Sequence, residues 1–265
     1  MKKLLVPAFL LHALCLNSQK IFLDENKTPL KDSVKAEYFK LIIPDDNPNV
    51  FNERCFFITG ENESETQYIR KSKKNLKNGK STTWYKNGTL KNESDYSNNE
   101  LQGKSSSWHE NGRLKSEIDF TDNKYNGIIA TYWQNGNIKR KDYFKKGKFE
   151  NGTCYDSSGN QVKHYDYEIM PEYKGGDQGL LNDISANLIY PEISRSHGIQ
   201  GTVIVRFVVK EDGVIDKIDI LQGVNTELNN EAMRVVSKLN RFKPGFCDGE
   251  PTPVYYMVPI HFILK

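Results

Sequence analysis

Histidine, cysteine and paired carboxylates are the side chains that could carry chemistry in this 265-residue chain, and their spacing argues against catalysis. His12, His109, His164, His197 and His261 are scattered. Cys15, Cys55, Cys154 and Cys247 are widely separated, with no Cys-x-x-Cys and no paired histidines nearby, so the spacing predicts no metal site. Asp216 and Asp219 flank one strand position, as ordinary surface acids do. There is no Gly-rich phosphate loop, because the recurrent Asn-Gly elements have no helix after them, and neither a Gly-x-Ser-x-Gly elbow nor a His-Glu-x-x-His pair occurs. Neither a cofactor nor an enzymatic activity is expected. The residues that punctuate the backbone carry more information than the reactive ones.

A hydrophobic share of 37% is low for one large core, and 14 Tyr with 13 Phe supply bulky area instead, so thin, sheet-rich architecture in two domains is expected. A formal charge of +3 is small for this length and decides nothing about partners. Two lysines, an apolar run from Leu4 to Leu16 and a small polar stretch open the chain. That run falls short of the roughly 20 residues of a spanning helix, so residues 1–18 read as a cleaved secretory signal. A lipoprotein acylated at Cys15 and an uncleaved anchor are the alternatives. After cleavage three cysteines remain, enough for one disulfide or for buried, inert thiols. Residues 19–54 form an extended segment with one expected strand, "AEYFKLII", and no functional reading.

From residue 55 to 167 the chain repeats with a period of 24 residues. "GKSTTWYKNGTLKNESDY" from Gly79 recurs from Gly103 and again from Gly127. Turn glycines fall at Gly88, Gly112 and Gly136, with weaker outer copies at Gly60 and Gly159. Asn-Gly between alternating runs predicts hairpins with type I′ turns, whose two central residues both have positive φ. One face of the resulting sheet should be apolar, with Leu90, Leu114 and Ile138 in one row and Tyr96, Phe120 and Phe144 in another. The opposite face should be wet. The basic run Arg70–Lys80 reads as a solvated loop, and no nucleic-acid partner is expected. These units resemble the MORN-type repeats of YwqK-like bacterial proteins, which implies a β-hairpin sheet and a protein-binding surface.

Over residues 168–265 the grammar changes to helix, strand, strand, helix, strand, a compact α+β layer pair with a three-stranded antiparallel sheet and two helices. Asp177 is the expected cap of the first helix, and Asp212-Gly213 the turn between the first two strands. "MPEYKGG", "YPEISRSHGIQGTVIVRFVVKEDGVI", "LNNEAMRVV" and "FKPGFCDGEPTPVYYMVPIHF" together resemble the C-terminal domain of TonB, the energy transducer of outer-membrane import. The resemblance implies a periplasmic protein whose last strand accepts an extended segment, the TonB box, from an outer-membrane TonB-dependent receptor. That mode is β-augmentation, in which the unpaired N–H and C=O groups of a sheet edge are completed by the incoming peptide. It puts the partner-facing strand at Val254, Tyr256, Val258 and Ile260, with Tyr190 and Pro191 matching the family's Tyr-Pro motif beside it. Pro259 limits how far such pairing can run. The spacer and membrane helix of TonB-like transducers are replaced here by a short leader and a repeat array, so an inner-membrane proton-driven motor is a partner only if the chain is anchored. The alternative is a cell-envelope scaffold in which the repeat sheet is the main protein-binding surface.

Overall fold

The computed structural model describes residues 20–264, so the expected leader, with His12 and Cys15, lies outside the described residues. The chain divides between His164 and Tyr165 into two compact units.

The first unit is one twelve-stranded antiparallel meander in which every strand pairs with its neighbours in sequence. Its strands are β1 Ile21–Leu23, β2 Tyr38–Pro44, β3 Val50–Phe57, β4 Asn62–Lys71, β5 Lys74–Trp84 and β6 Leu90–Ser97. They continue as β7 Glu100–Trp108, β8 Leu114–Thr121, β9 Lys124–Tyr132, β10 Ile138–Lys145, β11 Lys148–Tyr155 and β12 Gln161–Val162. The extended segment without a functional reading thus supplies β1, β2 and part of β3 to the same sheet.

The Asn-Gly turns are not the expected type I′. Gly88, Gly112 and Gly136 have φ of +84°, +81° and +93°, whereas Asn87, Asn111 and Asn135 are not in the left-handed region. Each glycine N–H donates to the carbonyl three residues back, in Tyr85, His109 and Trp133, at 2.8–2.9 Å. This is a type I turn followed by a left-handed glycine that forms a bulge. Gly60 and Gly159 close the outer turns in the same way, on the Phe57 and Asp156 carbonyls. The asparagines stay in ordinary backbone because their side chains are engaged. Oδ1 of Asn87, Asn111 and Asn135 accepts from the N–H two residues on, at 2.9–3.0 Å. Nδ2 of each donates to a carbonyl of the next unit, in Glu110, Gln134 and Ser157. Turns with two central residues at positive φ occur instead at the opposite ends of the strands, at Asn98-Asn99, Asp122-Asn123 and Lys146-Gly147.

A second ladder links the units. The residue after each strand-end aromatic carries a donor that reaches the following unit: Tyr85 Oη to the Trp108 carbonyl, His109 Nε2 to Tyr132 and Trp133 Nε1 to Tyr155, at 2.9–3.1 Å. The face expected to be apolar is aromatic along one margin, where Phe120, Tyr125, Phe144 and Phe149 meet at 5.3–5.7 Å between ring centres. Its middle holds paired hydroxyls, Thr66 with Ser81, Ser94 with Ser105 and Ser107 with Ser116, at 2.6–2.7 Å. Small hydroxylated side chains fit the close spacing of neighbouring strands and satisfy one another there.

The second unit contains α1 Gly176–Asn187, α2 Glu192–Ser196 and α3 Thr226–Ser237, with strands β13 Glu168–Ile169, β14 Gly201–Val209, β15 Ile215–Gln222, β16 Gly245–Cys247, β17 Glu250–Thr252 and β18 Val254–Phe262. The three-stranded antiparallel sheet has the order β15-β14-β18, and β13, β16 and β17 form a second small sheet. The short helix α2 is one more than the two expected: Pro191, with φ of −61°, sets its entry and Glu192 lies in its first turn. Asp177 does not cap α1 either. The chain enters α1 through Gly175 in left-handed conformation, and Asp177 Oδ1 instead accepts a hydrogen bond from Tyr256 Oη at 3.2 Å. Leu180 and Ile184 of α1 and Leu228, Ala232, Val235 and Val236 of α3 share one core with Val203, Val205, Phe207 and Val209 of the central strand. Burying each of the Leu, Ile, Val and Phe side chains contributes about 1.5–3 kcal/mol, and Asn225 caps α3 by accepting from the Leu228 N–H at 2.9 Å. Among the described residues no helix is long and apolar enough to cross a membrane. No disulfide links Cys55, Cys154 and Cys247.

The Asp212-Gly213 turn ties this core together, since Gly213 has φ of +81°, its carbonyl accepts from the Phe242 N–H at 3.0 Å, and a Cβ would collide with the Phe242 carbonyl. Gly213→Ala is therefore expected to destabilise by well over ~1 kcal/mol, the penalty of positive φ plus backbone displacement. Gly88→Ala, with open space around it, should show the ~1–2 kcal/mol conformational penalty alone. Denaturant unfolding of the two variants, compared with the parent, checks the order.

Candidate functional site

The strand β18 pairs with β14 over nine residues in unbroken register, from Val209 opposite Val254 to Gly201 opposite Phe262. Among the described residues nothing pairs with its other side. Alternation assigns its side chains. Val258 and Ile260, 3% and 1% exposed, lie in the core, and Val254 and Tyr256 are half-buried. The Tyr256 ring stacks on Phe207 at 5.5 Å and tilts against Phe242 at 5.4 Å. Burial, then the Asp177 carboxylate, pushes its phenol up. The opposite face of the strand carries Tyr255 and Met257, 65% and 61% exposed, together with Pro259 and His261.

Pro259 fixes which backbone groups face outward. It lies opposite Ile204 in an intact ladder, and a proline is accommodated there when its nitrogen points away from the paired strand. Backbone direction alternates with residue, so the amides of Tyr255, Met257 and His261 face the open side, with Pro259 adding a carbonyl alone. The other end of the sheet is less regular. β15 pairs with β14 through two register shifts, Lys217 has φ of 48°, and Arg206 spans to Asp219 at 2.5 Å and 3.0 Å. Asp219, one of the paired acids of the sequence, is thus an ion-pair partner whose carboxyl is held low mainly by the hydrogen bond from Arg206.

The comparisons with known proteins bear on this unit and on the array separately. Residues 186–264 match the family model for the Gram-negative bacterial TonB protein C-terminal. Residues 186–264 carry a TonB C-terminal-family domain. Residues 77–98, 101–122 and 125–146 match the MORN repeat variant. Two solution structures of the TonB C-terminal domain of Helicobacter pylori, of residues 179–285 and 194–285, are 25% and 24% identical. Each covers 33% of this chain, and 79% and 92% of those chains are covered, with TM-scores of 0.27. No curated protein matches the chain.

In the TonB-family domain Tyr190 and Pro191 sit between α1 and α2, at the end of the sheet where β18 finishes. The Tyr190 ring meets Phe262 edge-on at 5.7 Å and its hydroxyl donates to the Ile199 carbonyl at 2.5 Å. Pro191 precedes α2 directly. The residue that holds this segment was not singled out from the sequence. Glu231 of α3, 9% exposed, accepts from the Ile189 N–H at 2.6 Å and from Arg234 through both carboxylate oxygens at 2.6 Å. Arg234 also donates to the Asn187 carbonyl at 2.7 Å, so the pair clamps the chain on either side of Leu188. A Glu and an Arg three apart on a helix read as a solvated pair, and only the fold brings the chain after α1 against them.

Burial pushes the Glu231 carboxyl up, but the hydrogen bonds from Arg234 and Ile189, with the Arg234 charge, outweigh it and hold the group below its ordinary value. Its contribution to stability is therefore present above the ordinary carboxylate range near 4.3 and lost as pH falls through the lower folded-state value. Glu231→Gln is expected to be roughly 1–3 kcal/mol less stable at neutral pH, with the gap to the parent closing at an acidic pH below the ordinary carboxylate range. Urea unfolding at the two pH values measures it.

Proposed function

We propose that this chain is a periplasmic TonB-like protein that binds outer-membrane receptors in energy-dependent transport, taking an extended receptor segment as a fourth strand on the open side of β18. The observation that carries the reading is the contrast between edges. The twelve-stranded sheet ends in strands of 3 and 2 residues, whereas β18 leaves 9 residues in regular register unpaired on one side. Proteins ordinarily keep edge strands short, bulged or covered, so a long regular edge is a place for pairing. The family match of residues 186–264 supports the same reading.

In this scheme Val254, Tyr256, Val258 and Ile260 anchor the strand by packing inward, which holds its outer amides in line. Tyr190 and Pro191 flank the end of β18, where the Tyr190 ring meets Phe262. Tyr255, Met257 and His261 present the backbone groups that an incoming strand would meet, and Pro259 interrupts the donor row. The proposed location is the periplasm, reached through the leader over residues 1–18. An inner-membrane proton-driven motor enters as a partner only for a chain that keeps its leader as an anchor.

The test is titration of the full chain with a synthetic peptide of the TonB-box segment of a receptor, followed by amide NMR shifts. Binding is expected to move the resonances of residues 254–262 first. Met257→Pro removes one outward donor without touching the β14 ladder and should weaken affinity about fivefold or more, the worth of one hydrogen bond. Leu221→Pro, on the other edge, should leave affinity unchanged. No shift at millimolar peptide, or equal affinity in Met257→Pro, would sink the proposal.

A further inference from the structure

The third unit of the repeat array departs from the first two by placing a buried ion pair in the sheet, and three side chains with metal-ligand chemistry meet there. One period of 24 residues before Arg140 and Asp142 stand Ser116 and Ile118. The third unit thus replaces a small hydroxyl and an aliphatic with an ion pair, Arg140 NH1 to Asp142 Oδ2 at 2.5 Å, and both side chains have 0% exposure. Cys154 lies opposite Arg140 on β11 and is likewise 0% exposed. On the far side of β11, Cys154 pairs with Val162, so counting on in register puts His164 beside Gly152, on the face of Cys154. Gly152 itself lies opposite Asp142 and has no room for a Cβ, which would collide with Asp142 Oδ1. The imidazole of His164 therefore reaches across the glycine and meets Asp142 Oδ1 with Nε2 at 3.0 Å. Phe149 stacks on the ring at 4.7 Å and fixes its plane.

We propose that Asp142, Cys154 and His164 form a binding site for a thiophilic divalent cation of the zinc class. One ligand atom from each, a carboxylate oxygen, Sγ and a ring nitrogen, lies within 4.8 Å of the others. Tetrahedral Zn2+, with Zn–N near 2.0 Å and Zn–S near 2.3 Å, holds its donors about 3.5 Å apart, so closure needs about an ångström of movement. The mixed oxygen, sulfur and nitrogen set suits zinc and its cobalt surrogate and does not suit Mg2+ or Ca2+, which take oxygen. Arg140 NH1 occupies Oδ2 and lies 3.4 Å from His164 Nε2, so it leaves Oδ1 toward the site and borders two of the ligating groups, an outer partner of the kind that orients them. His164, with 26% side-chain exposure, gives the ion its way in and leaves the fourth position to water.

The charge balance is explicit. With Nε2 as the ligand atom His164 carries its ring proton on Nδ1, and ligation by Cys154 Sγ requires the thiol to release its proton, so the dication enters with loss of that one proton and the site gains one net positive charge. Affinity should then rise about tenfold per pH unit while the thiol is protonated in the metal-free protein.

Titration of the reduced full chain with Co2+ tests the site. A single Co2+ per chain should give an intense sulfur-to-cobalt absorption band in the near ultraviolet, which Zn2+ then abolishes by displacement. Cys154→Ser should lose the band. The double variant Cys55→Ser, Cys247→Ser should keep it, because burial and the Glu63 carboxylate push the Cys55 thiol up to about 11, away from ligation. His164→Gln, at a partly exposed position, should fold as the parent does and weaken Co2+ by more than ~10-fold, the least that loss of even an outer partner costs. Absence of the band in the reduced chain overturns the proposal. So does its persistence in Cys154→Ser, or an unchanged affinity in His164→Gln should Cys154→Ser fail to fold.

Discussion

A β-sheet satisfies its backbone only through its neighbours, so the strand at each end presents a row of amides and carbonyls that something else must meet. Both units of this chain are organised by that requirement, and they meet it in opposite ways. The meander ends in strands of 3 and 2 residues, which leaves residues 41–44 of β2 and 148–153 of β11 open on one side, shorter runs than the nine of β18. The smaller sheet roughens β15 with register shifts and leaves β18 straight. A roughened edge pairs poorly because an incoming strand cannot keep register with it. The contrast within one three-stranded sheet assigns the asymmetry to β18.

What keeps β18 straight is the packing behind it. Val258, Ile260 and Phe262 lie in the same cluster as Val203, Val205 and Phe207 across the ladder and Leu228, Val235 and Val236 on α3. An edge strand without such an anchored face would fray, and an amide row that frays has to be ordered again at each encounter. The meander lacks this resource. Its central rows include paired Ser and Thr hydroxyls, and units are joined by hydrogen bonds that span the period: Asn87, Asn111 and Asn135 along the turns, and Tyr85, His109 and Trp133 one step inward. The last three differ in size and character but share a donor that reaches the next unit's carbonyl. The repeat therefore conserves a hydrogen bond where a globular core would conserve a volume.

That difference explains which parts of the structure were legible in the sequence. Period, strand alternation and the positions of the turn glycines follow from pattern alone, and so does the helix, strand, strand, helix, strand order of the second unit. Turn type did not follow, because Asn-Gly fits either a type I′ turn or a type I turn with a left-handed glycine, and the choice depends on where the asparagine amide finds its partner in the next unit. The cap of α1 was misassigned because Asp177 is engaged by Tyr256, 79 residues away in sequence. Short α2 carries too few residues for periodicity to register. At the candidate site the strand itself was legible, but the outward direction of its amides rests on the pairing of Pro259 with Ile204, and the Glu231 clamp on a contact 42 residues apart.

A repeat also supplies its own reference state, which single domains lack. At the positions of Arg140 and Asp142 the first two central units carry Asn92 and Ser94, then Ser116 and Ile118, all uncharged, and a buried charge in their place is answering some other demand. Trading Ser116 and Ile118 for Arg140 and Asp142 puts a buried ion pair where a hydroxyl pair and an aliphatic suffice. Buried charge carries a desolvation penalty that packing of the replaced residues did not incur. Folding alone gives no reason for the exchange, because the neighbouring units fold without it. The departure coincides with Gly152, which clears the space over the strand, and with His164, which fills it from beyond β12. Arg140, Gly152 and His164 thus converge on the two oxygens of one carboxylate, that of Asp142, which is how a site, as opposed to drift at the end of an array, is written into a periodic chain.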